Sequence, residues 1–198
     1  MRYIGSRTIE TDRLILRKSH IEEQKRLWEI LCIPEVHRYY LTCKFGFDWE
    51  QQRPFFESKV FKAGNLDVFQ WSIIKKDDGL CIGQLSVQSG NSEDSSITDD
   101  SIRGIGWFID PVYQGRGYAT EAASAVLDYM FNEVQITEIR TGAAVLNPAS
   151  WKLMEKLGFI RRDDEIHKVK YTYVLDPVDS YSYGLTDKEY KVKMKNKE

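Results

Sequence analysis

Apolar residues along the chain fall into two patterns, short runs bounded by turn residues and stripes at helical spacing, and their order predicts the elements. "TDRLILRKS" (11–19) predicts a short strand. "HIEEQKRLWEIL" places Ile21, Leu27, Trp28 and Leu31 near one face of a helix. "WEQQRPFFESKVFKAG" predicts a second helix with Pro54 in its first turns and Gly64 as its stop, and Trp49, Phe55, Phe56 and Phe61 as its core residues. "VFQWSIIKK" and "CIGQLSVQ" predict two strands joined by the hairpin turn "KDDG". Residues 89–101, "SGNSEDSSITDDS", carry no apolar period and predict a solvated polar loop. "IRGIGWFI" predicts a strand whose pairing stops at Asp110-Pro111. "YATEAASAVLDYMFNEV" predicts one long amphipathic helix, "TEIRTGAAVL" a strand, and "PASWKLMEKLG" a helix with Pro148 early and Gly158 at its stop. "KVKYTYVL" and "SYSYGL" predict two strands around the turn "DPVD", and the lysine-rich tail 186–198 is expected to fray.

This order, β-α-α-β-β-β-α-β-α-β-β, predicts a mixed α/β (α+β) domain with a largely antiparallel sheet and helices packed on it. The strand-helix-strand unit around Ile105 and Ile139 makes those two strands parallel or splayed neighbours. A length of 198 residues and 42% hydrophobic content suit one domain with a sizeable core. A net charge of −2 gives no global argument for a nucleic-acid partner. Cys32, Cys43 and Cys81 fit neither zinc spacing nor a disulfide framework, and His20, His37 and His167 make no metal spacing, so no metal is expected. No apolar run approaches the roughly 18 residues of a membrane span, and the N-terminus lacks a signal-peptide core. The expectation is a soluble cytoplasmic protein with no membrane partner.

The chemistry concentrates in Gln114-Gly115-Arg116-Gly117-Tyr118-Ala119, between a strand and a helix. Glycines let backbone N–H groups approach a ligand, and the helix that follows adds unpaired N–H groups and the positive end of its dipole. Arg116 could add a charge contact. The turn is therefore a candidate pyrophosphate cradle. Thr120 stands where a dinucleotide fingerprint needs Gly or Ala, which disfavours a dinucleotide-dependent oxidoreductase, and no Gly-Lys-Ser/Thr string makes a P-loop.

"GWFIDPVYQGRGYATEA" resembles motif A of the GNAT N-acetyltransferases, Q/R-x-x-G-x-G/A, through Gln114, Gly117 and Ala119. "NPASWKLMEKLGF" (147–159) resembles the family's next motif, and "TDRLILR" and "YSYGLTDKEY" resemble the ends of its RimJ/RimL-type branch, which acetylates protein N-termini. The resemblance covers about residues 8–190. It implies a single GNAT domain: a mixed, mostly antiparallel twisted sheet of about seven strands, helices on both faces and a splayed central strand pair. It also implies acetyl-CoA as co-substrate, direct acetyl transfer to an amine, and a monomer or homodimer.

By this resemblance Trp107, Phe108 and Ile109 would line the pantetheine with backbone groups, the Ile109 N–H polarising the acetyl carbonyl. Gln114, Gly115, Arg116, Gly117, Tyr118, Ala119 and Thr120 would hold the pyrophosphate. Asn147 reads as a cofactor contact, as a helix cap, or as both. Ser150 reads either as a general acid toward the leaving thiolate or as an ordinary first-turn serine. His37, Tyr39 and Tyr40 read either as acceptor-site residues or as packing.

One position departs from the branch. Its strand often carries a Glu two residues before the Gly that matches Gly106, and this chain has Gly104 there. Asp99 and Asp100 lie just upstream as substitute bases or as solvated loop charges. An α-amine with a pKa near 8 is roughly one-tenth neutral at pH 7, whereas a lysine near 10.4 is neutral at only a few parts in ten thousand. The absent Glu thus favours a protein or peptide α-amine over a lysine, with a small-molecule amine as the second reading. A non-catalytic CoA-binding module is the rival.

Overall fold

The computed structural model describes residues 1–40, 46–62, 65–89, 99–162 and 166–196. Cys43, Gly64, the Phe61 side chain, most of the polar loop (90–98) and the last two residues lie outside that description. In chain order the strands are β1 (Ile9–Glu10), β2 (Leu14–Arg17), β3 (Phe69–Lys75), β4 (Cys81–Ser89), β5 (Ile102–Ile109), β6 (Glu138–Ala144), β7 (Ile160–Arg161), β8 (His167–Val169) and β9 (Val178–Thr186). The helices are α1 (Glu23–Leu31), α2 (Pro34–His37), α3 (Trp49–Lys62), α4 (Tyr118–Asp128), α5 (Pro148–Leu157) and α6 (Asp187–Lys195). One nine-stranded sheet runs β1-β2-β3-β4-β5-β6-β9-β7, with β8 also on β9. Every pairing is antiparallel except β5 with β6.

Both faces of the sheet are covered. On one, Leu27, Ile30 and Leu31 of α1 and Phe56 of α3 pack with Ile74, Cys81 and Phe108. On the other, Ala122, Ala123, Val126 and Leu127 of α4 and Met154 and Leu157 of α5 close over Trp71, Leu85, Ile105 and Ile139. Fully burying such a side chain is worth about 1.5–3 kcal/mol, so this double-sided packing is what holds the sheet. Among the described residues no helix is long and apolar enough to cross a membrane.

The expected elements recur with several corrections. The sheet has nine strands rather than about seven, because β1, β7 and β8 are two- and three-residue edge segments too short to leave a pattern. The run from Tyr171 to Leu175 is not strand: Tyr171 turns inward and the Tyr173 ring packs on His37, 4.5 Å between centroids. The long helix after the glycine turn widens into a π-type turn at Tyr129–Val134, which lets Tyr129, Met130, Phe131 and Val134 all point inward. Phe55 is 52% exposed while its neighbour Phe56 is 3% exposed, since adjacent positions on α3 point about 100° apart and only one meets the core, and Ile21 lies exposed before α1 begins.

The lysine-rich end does not fray through its length but forms α6. Thr186 and Glu189 make a reciprocal capping box, and Tyr190 is buried, stacked on Phe131 at 4.8 Å. The signature Thr-x-x-Glu was present in the sequence and outweighs the lysines.

Candidate functional site

The ladder between β5 and β6 is short. It joins Ile102 to Glu138, Arg103 to Ile139 and Gly104 to Arg140, then ends. Beyond it each strand stays bonded on its outer edge: β5 to β4 as far as Ile109, and β6 to β9 as far as Ala144. The two strands therefore part like a V, the splay the sequence led us to expect.

Register fixes which backbone groups face the opening. The Asp110 N–H donates to Ile82 O at 2.8 Å. Antiparallel alternation then turns Gly104, Gly106 and Phe108 toward β4, and Ile105, Trp107 and Ile109 toward the gap. On the other side Val145 N–H donates to Asp179 O at 2.8 Å and Asp187 N–H to Thr137 O at 2.9 Å. Arg140, Gly142 and Ala144 accordingly turn their peptide groups toward the gap. Of the expected pantetheine residues, Trp107 and Ile109 present backbone to the opening. Phe108 does not; its peptide groups are spent on β4 and its buried ring meets Tyr40 edge-on at 5.2 Å.

The glycine turn stands at the mouth of the V. Gly115 and Gly117 have φ of +73° and +84°, a region that disfavours any residue with a Cβ. Gly117 is the N-cap of α4 and has no side chain to cap it, so the N–H groups of Tyr118, Ala119 and Thr120 are left for a ligand. Gln114, Gly115, Gly117, Tyr118, Ala119 and Thr120 all line the cleft, whose volume is about 1730 Å³. Arg116 does not; it is exposed and lies over the Tyr113 ring, 5.7 Å from its centroid. Gln114 uses its Nε2 to donate to Ile109 O at 2.9 Å, which ties the turn to the end of β5.

A second arginine, which the motif did not reveal, braces the turn. Arg13, just before β2, donates from Nη1 to Arg116 O at 3.0 Å and sits 4.5 Å over the Tyr118 ring. Its Nη2 pairs with Glu121 at 2.6 Å. Burial pushes the Glu121 carboxyl up, but hydrogen bonds from Thr11, the Arg13 N–H and Arg13 Nε together outweigh it and hold the group below the usual glutamate range. Nothing local in "TDR" signals this contact, which joins residues more than a hundred positions apart.

At the other side Asn147 is the N-cap of α5, and its side-chain oxygen accepts from the Ser150 N–H at 3.4 Å. Asn147 and Ser150 both line the cleft. Ser150 engages the cap through its backbone, and its hydroxyl is not part of that bond.

Of the acceptor candidates, Tyr39 and Tyr40 line the cleft and His37 does not. His37 is buried, with Nδ1 3.0 Å from Leu31 O. A Cβ on Gly106 would come 3.7 Å from the Tyr40 ring, so Tyr40 stands directly over that glycine. Asp99 accepts from the Ser101 N–H at 2.8 Å, and hydrogen bonds from Ser101 hold its carboxyl below the usual range. It does not line the cleft, whereas Asp100 does and accepts from Tyr3 OH at 2.5 Å. Glu35 on α2 and Asp67 are further carboxylates of the lining that the sequence did not single out.

Gly104 places no carboxylate in the cleft, and its register partner Arg140 is paired with Glu138 at 3.2 Å. Neither described cysteine lines the cleft, and burial pushes the Cys32 and Cys81 thiols up to about 11. Neither is a thiolate nucleophile at neutral pH. Among the described residues no group of side chains is arranged to hold a metal ion.

Known proteins resemble the chain in sequence and in overall fold. The chain is 29% identical to the uncharacterized N-acetyltransferase YnaD of Bacillus subtilis, over 77% of this chain and 82% of that one. It is 32% identical to the uncharacterized protein YkkB of the same organism, over 75% and 82%. The crystal structure of a GNAT-family acetyltransferase from Bacillus anthracis superposes with a TM-score of 0.73 at 25% identity, covering 92% of this chain and 99% of that one. The ribosomal-protein-S5-alanine acetyltransferase of Vibrio fischeri shares the fold, with a TM-score of 0.73 at 18% identity over 93% and 99%. The GNAT acetyltransferase domain itself matches residues 13–160, a stretch that holds the splay, the glycine turn and both cleft-lining helix starts, and the chain belongs to that family of N-acetyltransferases.

Proposed function

We propose that the cleft binds acetyl-CoA across the splay and that the acetyl group passes directly to the α-amine of a protein or peptide, as in the RimJ/RimL-type branch, in the cytoplasm. The observation that carries this reading is the pairing of two unsatisfied backbone surfaces. One is the N-terminus of α4, whose free N–H groups and dipole suit a pyrophosphate. The other is the inner edges of β5 and β6, which suit the amides of a pantetheine arm lying between them as an extra strand. The Ile109 N–H, facing the opening, is the donor for the acetyl carbonyl, where negative charge develops as the amine attacks. Ser150 Oγ passes to the departing thiolate the proton that the attacking amine gives up, so the hydroxyl ends as it began, and the demand is modest for a thiol whose pKa is near 8.5. The raised thiols of half-buried Cys32 and buried Cys81 favour attack by the amine itself rather than an acyl-enzyme.

The acceptor is argued from the missing base. Gly104 offers no carboxylate, so an amine that is already partly neutral at pH 7 is favoured, and proximity does most of the remaining work. Fold alone does not choose, since a spermidine N-acetyltransferase chimera from Vibrio cholerae also superposes, with a TM-score of 0.70 at 16% identity. Incubation with acetyl-CoA and a panel of peptides and small amines, read by mass spectrometry, decides it. We expect acetylation at peptide α-amines and not at lysine side chains. Turnover on small amines alone would give the acceptor to that class; tight CoA binding with no turnover would leave a binding module.

A further inference from the structure

Where β5 and β6 part, one side chain reaches across. In a parallel ladder continued by one rung past Gly104 and Arg140, Ile105 O would accept from the Gly142 N–H. It does not. The Thr141 hydroxyl donates to Ile105 O instead, at 3.0 Å. Thr141 is held for this from behind, because its own peptide groups belong to the ladder with β9, opposite Tyr183. The hydroxyl therefore occupies the acceptor that would have drawn Gly142 in, and a side chain's width separates the strands from that rung onward.

The other carbonyls that face the gap near its limits are occupied in the same way. Gln114 Nε2 takes Ile109 O at 2.9 Å, and the Asn147 N–H takes Ala144 O at 2.8 Å. What the opening then offers a ligand is rich in donors, the N–H groups of Trp107, Ile109, Gly142 and Ala144.

We propose that Thr141 is a positioning residue for acetyl-CoA: by displacing the Gly142 N–H from Ile105 O it stops the β5–β6 ladder from zipping and frees that N–H for the pantetheine. The proposal rests on the reading of the cleft as the acetyl-CoA site. The side chain acts through the Ile105 carbonyl and touches no reacting atom.

The test compares Thr141→Val, which keeps the shape and loses the donor, with Thr141→Ser, which keeps the donor. Acetyl-CoA binding is measured by calorimetry and KM for each substrate by initial rates. Thr141→Val is expected to weaken acetyl-CoA about three- to tenfold, the loss of one hydrogen bond, with the acceptor KM unchanged and Thr141→Ser close to wild type. Amide hydrogen exchange at Gly142 in the free protein is the second measurement. It is expected to slow in Thr141→Val as the ladder extends, with Thr141→Ala standing in should the valine variant not fold. Unchanged Gly142 exchange, or serine failing to restore what valine removes, overturns the proposal. Wild-type protein that binds no CoA overturns the reading of the cleft instead, while the exchange measurement still judges Thr141.

Discussion

Arg13 and Glu121 lock the entry of β2 to the first turn of α4: Arg13 Nε and Nη2 reach Glu121 Oε2 at 2.7 and 2.6 Å, and the Arg13 N–H donates to Oε1 at 2.9 Å. Thr11 Oγ1 adds a fourth bond at 2.6 Å. The pair thus braces the helix whose open N-terminus is proposed as the cradle. Charge-assisted bonds of this kind, with Glu121 only 18% exposed, are costly to remove. Glu121→Ala should lower stability by about 1–3 kcal/mol, read as a shift in urea midpoint, and raise the KM for acetyl-CoA. Arg13→Ala should do much of the same, and the double variant little more. Strictly additive losses would show that the two residues do not act as one brace.

The glycine turn makes a sharper test. Gly117→Glu puts a side chain at a φ of +84° and a negative charge where the pyrophosphate is proposed to lie. A Cβ there would also come 3.3 Å from Arg13 Nη2. Gly79→Glu is the matched control: its φ is +70°, in the hairpin between β3 and β4, and no atom lies within 4 Å of the added Cβ. Both should cost about 1–2 kcal/mol of stability through backbone strain. Only Gly117→Glu should abolish CoA binding by calorimetry. Retained affinity in that variant removes the cradle assignment.

What was legible in the sequence is what is local. Gly115, Gly117 and Asp110-Pro111 determine a turn within a few residues, so the strand, turn and helix around the cradle were readable, as were the Pro148 start and Gly158 stop of α5. The direction of backbone groups was not, because it depends on register with β4 and β9; hence Phe108 was grouped with Trp107 and Ile109 although its peptide groups face the other way. Arg116 sits inside the motif and so was legible as a charge near the turn, whereas Arg13, which holds Arg116 O from across the fold, was not. Thr141 looked like any β-branched strand residue, since its role exists only where two strands cease to pair.

Ser150 separates catalysis from capping by which atom does which work. Its N–H meets Asn147 Oδ1, so Ser150→Ala leaves the cap of α5 in place. The expected result is a fall in kcat of at least about tenfold with little change in acetyl-CoA affinity or Tm, the signature of a proton donor lost from the transition state. Asn147→Ala should show the reverse, a stability loss of about 1 kcal/mol from the missing cap. Equal turnover in Ser150→Ala and wild type would leave the serine a helix-start residue and nothing more.

The C-terminal helix predicts how the protein fails in acid. Arg162 donates to both carboxylate oxygens of Glu189, at 3.0 and 2.6 Å, and Thr186 adds its N–H and hydroxyl, each at 2.8 Å. The Arg162 guanidinium is the larger influence and, with Thr186, holds the Glu189 carboxyl down at about 2 against burial. Because the folded value lies below the unfolded one, near 4.5, the stabilisation is fully present above pH 5. It is lost progressively as the pH falls from there toward 2. After allowance for solvent screening the loss is about 1–2 kcal/mol, enough to loosen the stacking of Tyr190 on Phe131. Urea midpoints measured from pH 7 to pH 2.5 should fall along this limb in the wild type. Glu189→Gln, already without the charge, should start lower at pH 7 and fall less; a parallel fall in both proteins would assign the acid limb to other carboxylates.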